Sequence, residues 1–198
     1  MSEFHVLACV PAGTAGLPLP RPHERLSAGP ADAALKVYTD LRSGPCVIVP
    51  ANDGLDETLR LMLRAGVRMA FVGDATEGIG SVQGLITAGD LQGERPVLRA
   101  LAAGVPHDDL KVADVMSAIA DWPLVELAAV SKARVGDIVA TLQSQGRGYL
   151  LVGERIDGQW RLRGLFSASR VGQALGTALG EDLKSRSFAE LEAALAHR

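Results

Sequence analysis

The chain has 198 residues, of which 47% are hydrophobic, 22% charged and only 4% aromatic, with a formal net charge of −3. That apolar fraction excludes a disordered chain, and no apolar run reaches the roughly 18 residues a membrane helix needs. A slightly acidic chain offers no global basic field to nucleic acid or anionic lipid, and so few rings make poor platforms for stacking bases.

Met1 to Val10 carries no basic run, and Val6-Leu7-Ala8 is too short for the apolar stretch of a signal peptide. Cys9 and Cys46 form no Cys-x-x-Cys pair, which fits a reducing, cytoplasmic setting. His5, His23, His107 and His197 lack the spacing of zinc ligands, so no metal is expected. Residues 1–31 hold Pro11, Pro18, Pro20, Pro22 and Pro30 among glycines and alanines, and read as an extended arm.

Cys46 to Val49 is a short strand ended by Pro50. Asn52-Asp53-Gly54 caps a helix whose apolar stripe is Leu55, Leu59 and Met62 and whose stop is Gly66. Met69 to Val72 and Ser81 to Ile86 form a hairpin turning over Gly73-Asp74 and Gly78, and Thr87 opens a helix reaching toward Ala103. The same grammar then returns. Leu124 to Leu127 is a strand, and Val135, Val139 and Leu142 stripe a helix stopped by Gly146. Tyr149 to Val152 and Trp160 to Phe166 form a hairpin around Asp157-Gly158, and Ser167 starts another helix. Ser187 to Glu190 has capping-box spacing, and Phe188, Leu191 and Leu195 stripe a closing helix at 181–198.

The second unit is a copy of the first. Residues 66–91 align without a gap on residues 146–171 at a constant offset of 80. The identities are Gly66/Gly146, Val72/Val152, Gly73/Gly153, Gly78/Gly158, Gly84/Gly164, Leu85/Leu165 and Ala88/Ala168. The fold class is therefore α+β of α/β type, with β-α-β-β-α occurring twice, at 32–105 and 106–180. A small sheet covered by helices on one face leaves the other bare, so the two units are expected to pack sheet-to-sheet as a pseudo-two-fold pair.

These residues carry a family resemblance. Gly84-Leu85-Ile86-Thr87-Ala88-Gly89-Asp90 and Gly164-Leu165-Phe166-Ser167-Ala168-Ser169-Arg170 resemble the Gly-h-x-Thr/Ser-x-x-Asp/Asn signature of cystathionine-β-synthase (CBS) domains. Val112-Ala113-Asp114-Val115-Met116-Ser117 resembles the segment leading into such a repeat, and Ala34 to Thr39 is its weaker counterpart. The resemblance, to a tandem pair or Bateman module, covers roughly residues 32 to 180. It implies a regulatory protein, not an enzyme, that binds AMP, ADP, ATP or another adenosyl compound without requiring a cofactor. It also implies a homodimer and a separate regulated partner protein, with no nucleic-acid or membrane partner.

Carried over by position, a first site would use Thr87 for phosphate and Asp90 for the ribose diol. Tyr38 and Thr39 would lie near the base, Val67 and Met69 would wall it, and Arg68 would add charge. The second copy keeps a hydroxyl at Ser167 but puts Arg170 where the acid belongs, with Met116 and Arg147 as neighbours. A guanidinium only donates, so it suits phosphate and not two hydroxyl donors. The alternative is a scaffold of the same fold with degenerate sites. No Ser–His–Asp or Cys–His arrangement and no phosphate loop of the Gly-x-x-x-x-Gly-Lys type is present.

Overall fold

In a computed structural model, residues 27–44, 46–73, 81–177 and 179 are described. The N-terminal arm up to residue 26, the first hairpin's turn at 74–80 and the expected closing helix lie outside them. The first half comprises β1 (Thr39–Asp40), β2 (Ile48–Val49), α1 (Leu55–Ala65), β3 (Met69–Gly73), β4 (Val82–Thr87), α2 (Ala88–Gln92) and α3 (Arg95–Ala103). The second comprises α4 (Val112–Val115), β5 (Ser117–Ala118), β6 (Leu124–Glu126), α5 (Leu127–Val130), α6 (Val135–Gln145), β7 (Tyr149–Ile156), β8 (Gln159–Ser167) and α7 (Ala168–Leu175).

Two four-stranded sheets result, ordered β2-β3-β4-β5 and β1-β8-β7-β6. Strand alternation sends successive side chains to opposite faces, and here both faces are apolar. Ala70, Val72 and Ile86 meet the helices of the first half, and Leu150, Val152 and Phe166 meet those of the second. Met69, Phe71, Leu85, Leu151 and Leu165 form a third cluster between the sheets. The expected sheet-to-sheet pairing is thus made by the odd-numbered residues of the central strands. Both hairpins carry a register shift at the same repeat position, Val72/Gly73 and Val152/Gly153.

The helix stops at Gly66 and Gly146 are as expected, with φ of 66° and 59°, the left-handed cap that glycine adopts at least cost. Two local expectations are corrected. No side chain caps α1, whose N-cap is Gly54; the Asp53 carbonyl instead accepts from Val112 N at 3.0 Å. The helix expected from Thr87 toward Ala103 is two helices. Gly93 leaves the helical path with ψ −163°, and Pro96 sits in the first turn of α3, where its missing N–H costs nothing.

The largest departure from chain order is an exchange of lead-in segments. β1 pairs with β8, Thr39 opposite Leu165, and β5 pairs with β4, Ser117 opposite Leu85. Ala28, Ala34 and Val37 are buried in the second half's core, while Leu110, Val112 and Val115 are buried in the first. Backbone bonds fasten each: Ala34 N to Ala133 O and Val135 N to Asp32 O, both at 2.9 Å, hold the first, and Val112 N to Asp53 O at 3.0 Å and Ala113 N to Ala51 O at 2.8 Å hold the second. The exchange covers the edges of β4 and β8, which would otherwise expose unpaired N–H and C=O groups. It also explains Gly84 and Gly164 in the repeat. A Cβ on Gly84 would lie 2.6 Å from Ser117 O, and one on Gly164 would run into the Thr39 carbonyl and the Tyr38 phenol.

Beyond β1 the chain turns on an ion pair. Arg42 holds the Asp40 carboxylate through Nη2 at 2.6 Å and through its own backbone N–H at 2.9 Å, pushing that carboxyl down to about 2. A carboxyl lowered on folding adds stability that is complete above its unfolded value, 3.8, and is lost as pH falls toward 2. Asp40→Asn should therefore lower the urea midpoint at neutral pH, leave it little changed near pH 2, and so flatten the acid limb between those values. An unaltered acid limb would assign the acid sensitivity elsewhere.

Candidate ligand site

A cavity of about 570 Å³ opens beside the N-terminus of α7, within the range of small-molecule sites. Its walls are apolar. Val47 and Val67 flank it, Met69 and Phe71 come from β3, and Leu165 from β8. Its polar end comprises Ser167 and Ser169 at the start of α7, the guanidinium groups of Arg170 and Arg68, and Thr39 of β1. Among the described residues no carboxylate lines it.

Ser167 caps α7, accepting from Arg170 N at 3.2 Å, so its own hydrogen stays available to a ligand. α7 is amphipathic, burying Val171, Ala174 and Leu175, and this docking holds its N-terminal turn at the cavity mouth. Arg68 and Arg170 are exposed and form no ion pair among the described residues. Two uncompensated cations beside a helix N-terminus favour an anion, and both guanidiniums can grip phosphate with paired N–H donors. The arrangement suits a molecule with an anionic end and an apolar or flat body. Among the described residues no cluster of His, Cys, Asp and Glu could hold a metal ion.

Of the expected residues, Thr39, Val67, Arg68, Met69, Ser167 and Arg170 are brought together here. Thr87 and Asp90 do not line this cavity, although Met69 is the register partner of Thr87 across β3 and β4; β1 crosses to β8, opposite Leu165, and so carries Thr39 to the Ser167 side. Tyr38 does not line the cavity. Its ring lies 5.6 Å from Phe166 in the second half's core, and burial pushes its phenol up. Met116 packs on the first half's core near Gly84. Arg147 lies over Trp122, its guanidinium 4.6 Å from the ring centre.

Thr87 and Asp90 bind each other. Thr87 N and Oγ1 both donate to Asp90 Oδ2, at 3.0 and 2.7 Å, and Asp90 N donates back to Thr87 Oγ1 at 3.1 Å. Arg95 then takes Asp90 Oδ1 at 2.9 Å. The lining residues that sequence reasoning missed are Leu41, Cys46, Val47, Gly66, Phe71, Tyr149, Leu165, Ser169 and Gln173. Tyr149, Leu165, Ser169 and Gln173 come from the second repeat, and Gly84 and Gly164 were the visible traces of the strand exchange.

Two back-to-back four-stranded sheets, each completed by the lead-in strand of the other half, decide the architecture. The fold is that of a tandem CBS-domain pair. Solved structures of similar shape include an uncharacterized conserved protein from Pyrococcus horikoshii, with TM-score 0.52 and 18% identity over 74% of this chain and 94% of that one. CBSX2 in complex with AMP aligns with TM-score 0.49 and 19% identity over 72% and 95%. The CBS domain protein TA0289 of Thermoplasma acidophilum aligns with TM-score 0.49 and 18% identity over 74% of each chain. No family model and no curated protein matches this sequence. Within the CBS pair, the cavity belongs to the side where the first lead-in strand meets the second repeat.

Proposed function

We propose that this CBS pair is a regulatory module that senses an adenosine-containing nucleotide in the cavity between Arg68 and Arg170. One observation carries the reading: an apolar cleft ends in two uncompensated guanidiniums, a free hydroxyl hydrogen and a helix N-terminus. Phosphate fits the charged end. The base fits against Val47, Val67 and Met69, with Phe71 and Tyr149 beside them in the lining. Thr39 and Ser167 supply hydroxyls for the sugar. The cavity is lined from both sheets and from the first lead-in strand, so occupancy couples the two halves, which is how binding would reach a partner protein. The module itself is not catalytic in this reading. Leu63, Val97, Leu98 and Leu101 are between 55% and 74% exposed on α1 and α3, a surface that supports the proposed homodimer.

The test is thermal unfolding with AMP, ADP and ATP. A ligand at a hundred times its Kd adds about 2.7 kcal/mol, which for a chain of this length raises Tm by roughly 5–10 °C. No rise with any of the three at millimolar concentration would overturn the sensor and favour the scaffold reading. The mutual engagement of Thr87, Asp90 and Arg95 is the observation on that second side.

A further inference from the structure

A duplicated fold that builds one cleft should build its counterpart, and the strand registers identify it. Thr39 faces Leu165 as Ser117 faces Leu85. Ile48 lies beside Phe71 as Leu124 lies beside Leu151. Two residues before those strands, Cys46 therefore corresponds to Trp122. At the offset of 80, Met69 corresponds to Tyr149, Ser167 to Thr87 and Arg170 to Asp90. The counterpart cleft thus has Ser117, Thr87 and Asp90 at its polar end and Trp122 at its apolar end.

Both ends are taken by the chain itself. At the polar end, Arg95 Nη1 donates to Asp90 Oδ1 at 2.9 Å, to Val115 O at 2.9 Å and to Ser117 Oγ at 3.2 Å. These acceptors come from two different elements, α2 and the second lead-in segment. Only the helix break makes this reach available. In a continuous helix a residue five positions past Asp90 would point roughly 140° away from it. At the apolar end, the Trp122 indole meets Tyr149 edge-on at 6.5 Å and carries the Arg147 guanidinium over its face at 4.6 Å. Trp122 Nε1 is buried with no acceptor among the described residues, so the ring is seated by its shape and not by a hydrogen bond.

A flat heteroaromatic ring at one end and a multiple N–H donor on an acidic residue at the other reproduce what a nucleoside offers, a base and a pair of hydroxyl donors. We infer that Arg95 and Trp122 are an intramolecular occupant of the counterpart cleft, holding it closed to nucleosides so that, of the two repeat-related clefts, only the cavity beside α7 stays open to a ligand. The ligand class rests on the nucleotide reading proposed above; the self-occupancy rests on the contacts of Arg95 and Trp122.

Calorimetric titration with adenosine tests it on the native chain and on Arg95→Ala/Trp122→Ala. Whatever the native chain takes up, the double variant should take up one equivalent more per chain. An unchanged count, or a native chain that already takes two, overturns the inference. A native chain that binds neither adenosine nor AMP, beside a double variant that gains one adenosine, would remove the proposed function and keep the self-occupied cleft. Should the double variant fail to fold, nitrogen-15 NMR of the native arginine side chains decides. The Arg95 Nη hydrogens should exchange with water several-fold more slowly than those of Arg68 and Arg170, and Asp90→Asn should abolish the difference. Arg95 hydrogens exchanging as fast as the other two would overturn the inference equally.

Discussion

The Arg170→Ala protein should lose most of the proposed nucleotide-dependent rise in Tm, whereas Asp90→Ala should retain it. The contrast follows from geometry. Arg170 lines the open cavity at the α7 N-terminus and has no carboxylate partner among the described residues, so its charge is available to an incoming anion. Hydrogen bonds to charged groups contribute about 1.5–3 kcal/mol each, and losing a paired grip on phosphate should weaken binding by roughly ten- to a hundred-fold. At a fixed nucleotide concentration most of the thermal shift is then gone. Asp90 sits in the other cleft, spent on Thr87 and Arg95. Removing it dismantles a capping box and lowers the unliganded stability by about 1 kcal/mol, leaving the increment from nucleotide intact. The opposite pattern, with binding lost on Asp90→Ala and kept on Arg170→Ala, would move the site to the Thr87 side.

Gly164→Ala should cost about 3 kcal/mol and release the first lead-in strand. The added methyl has nowhere to go, because the Thr39 backbone carbonyl and the Tyr38 phenol already occupy its place. Overpacking a buried position typically costs about 1–3 kcal/mol, and detaching β1 adds the lost packing of Tyr38 on Phe166. Two measurements check it. The urea midpoint should fall, and the backbone N–H of Leu41, bonded to Arg163 O at 3.0 Å, should lose protection from hydrogen exchange. Because Thr39 lines the cavity, the same variant should weaken nucleotide binding although it alters no lining residue. Protection at Leu41 equal to the native chain would show that β1 tolerates the methyl and that the exchange does not depend on this glycine.

Much of this was legible along the chain. Short apolar runs at 69–72 and 149–152, glycine stops after two striped helices, and the offset of 80 are local or periodic signals, and they named the elements and their duplication. The cavity residues split by origin. Ser167 and Arg170 stood in a recognisable block, and Thr39, Val67, Arg68 and Met69 had been singled out and line the same cavity. What linear reading could not do was assign them to the right cleft. It grouped Thr39 with Thr87 because the two share a repeat in sequence, whereas hydrogen-bond pairing of β1 with β8 is a contact across some 126 positions, Thr39 to Leu165, that no periodicity encodes. The split of the helix after Thr87 was readable in Gly93 and Pro96; its consequence, Arg95 turned back onto Asp90, was not.

The amino-acid sequence by itself determined the β-α-β-β-α unit, its copy and the apolar character of both sheet faces, because these depend on side-chain spacing within a few residues. The tertiary structure alone decided which lead-in strand completes which sheet, and so which of two related clefts stays open. That outcome turns on edge pairing and on single side chains meeting across the fold. At one position Cys46 leaves room, and at its counterpart Trp122 fills it. One cleft keeps an uncompensated Arg170, and the other binds its Asp90 to Arg95.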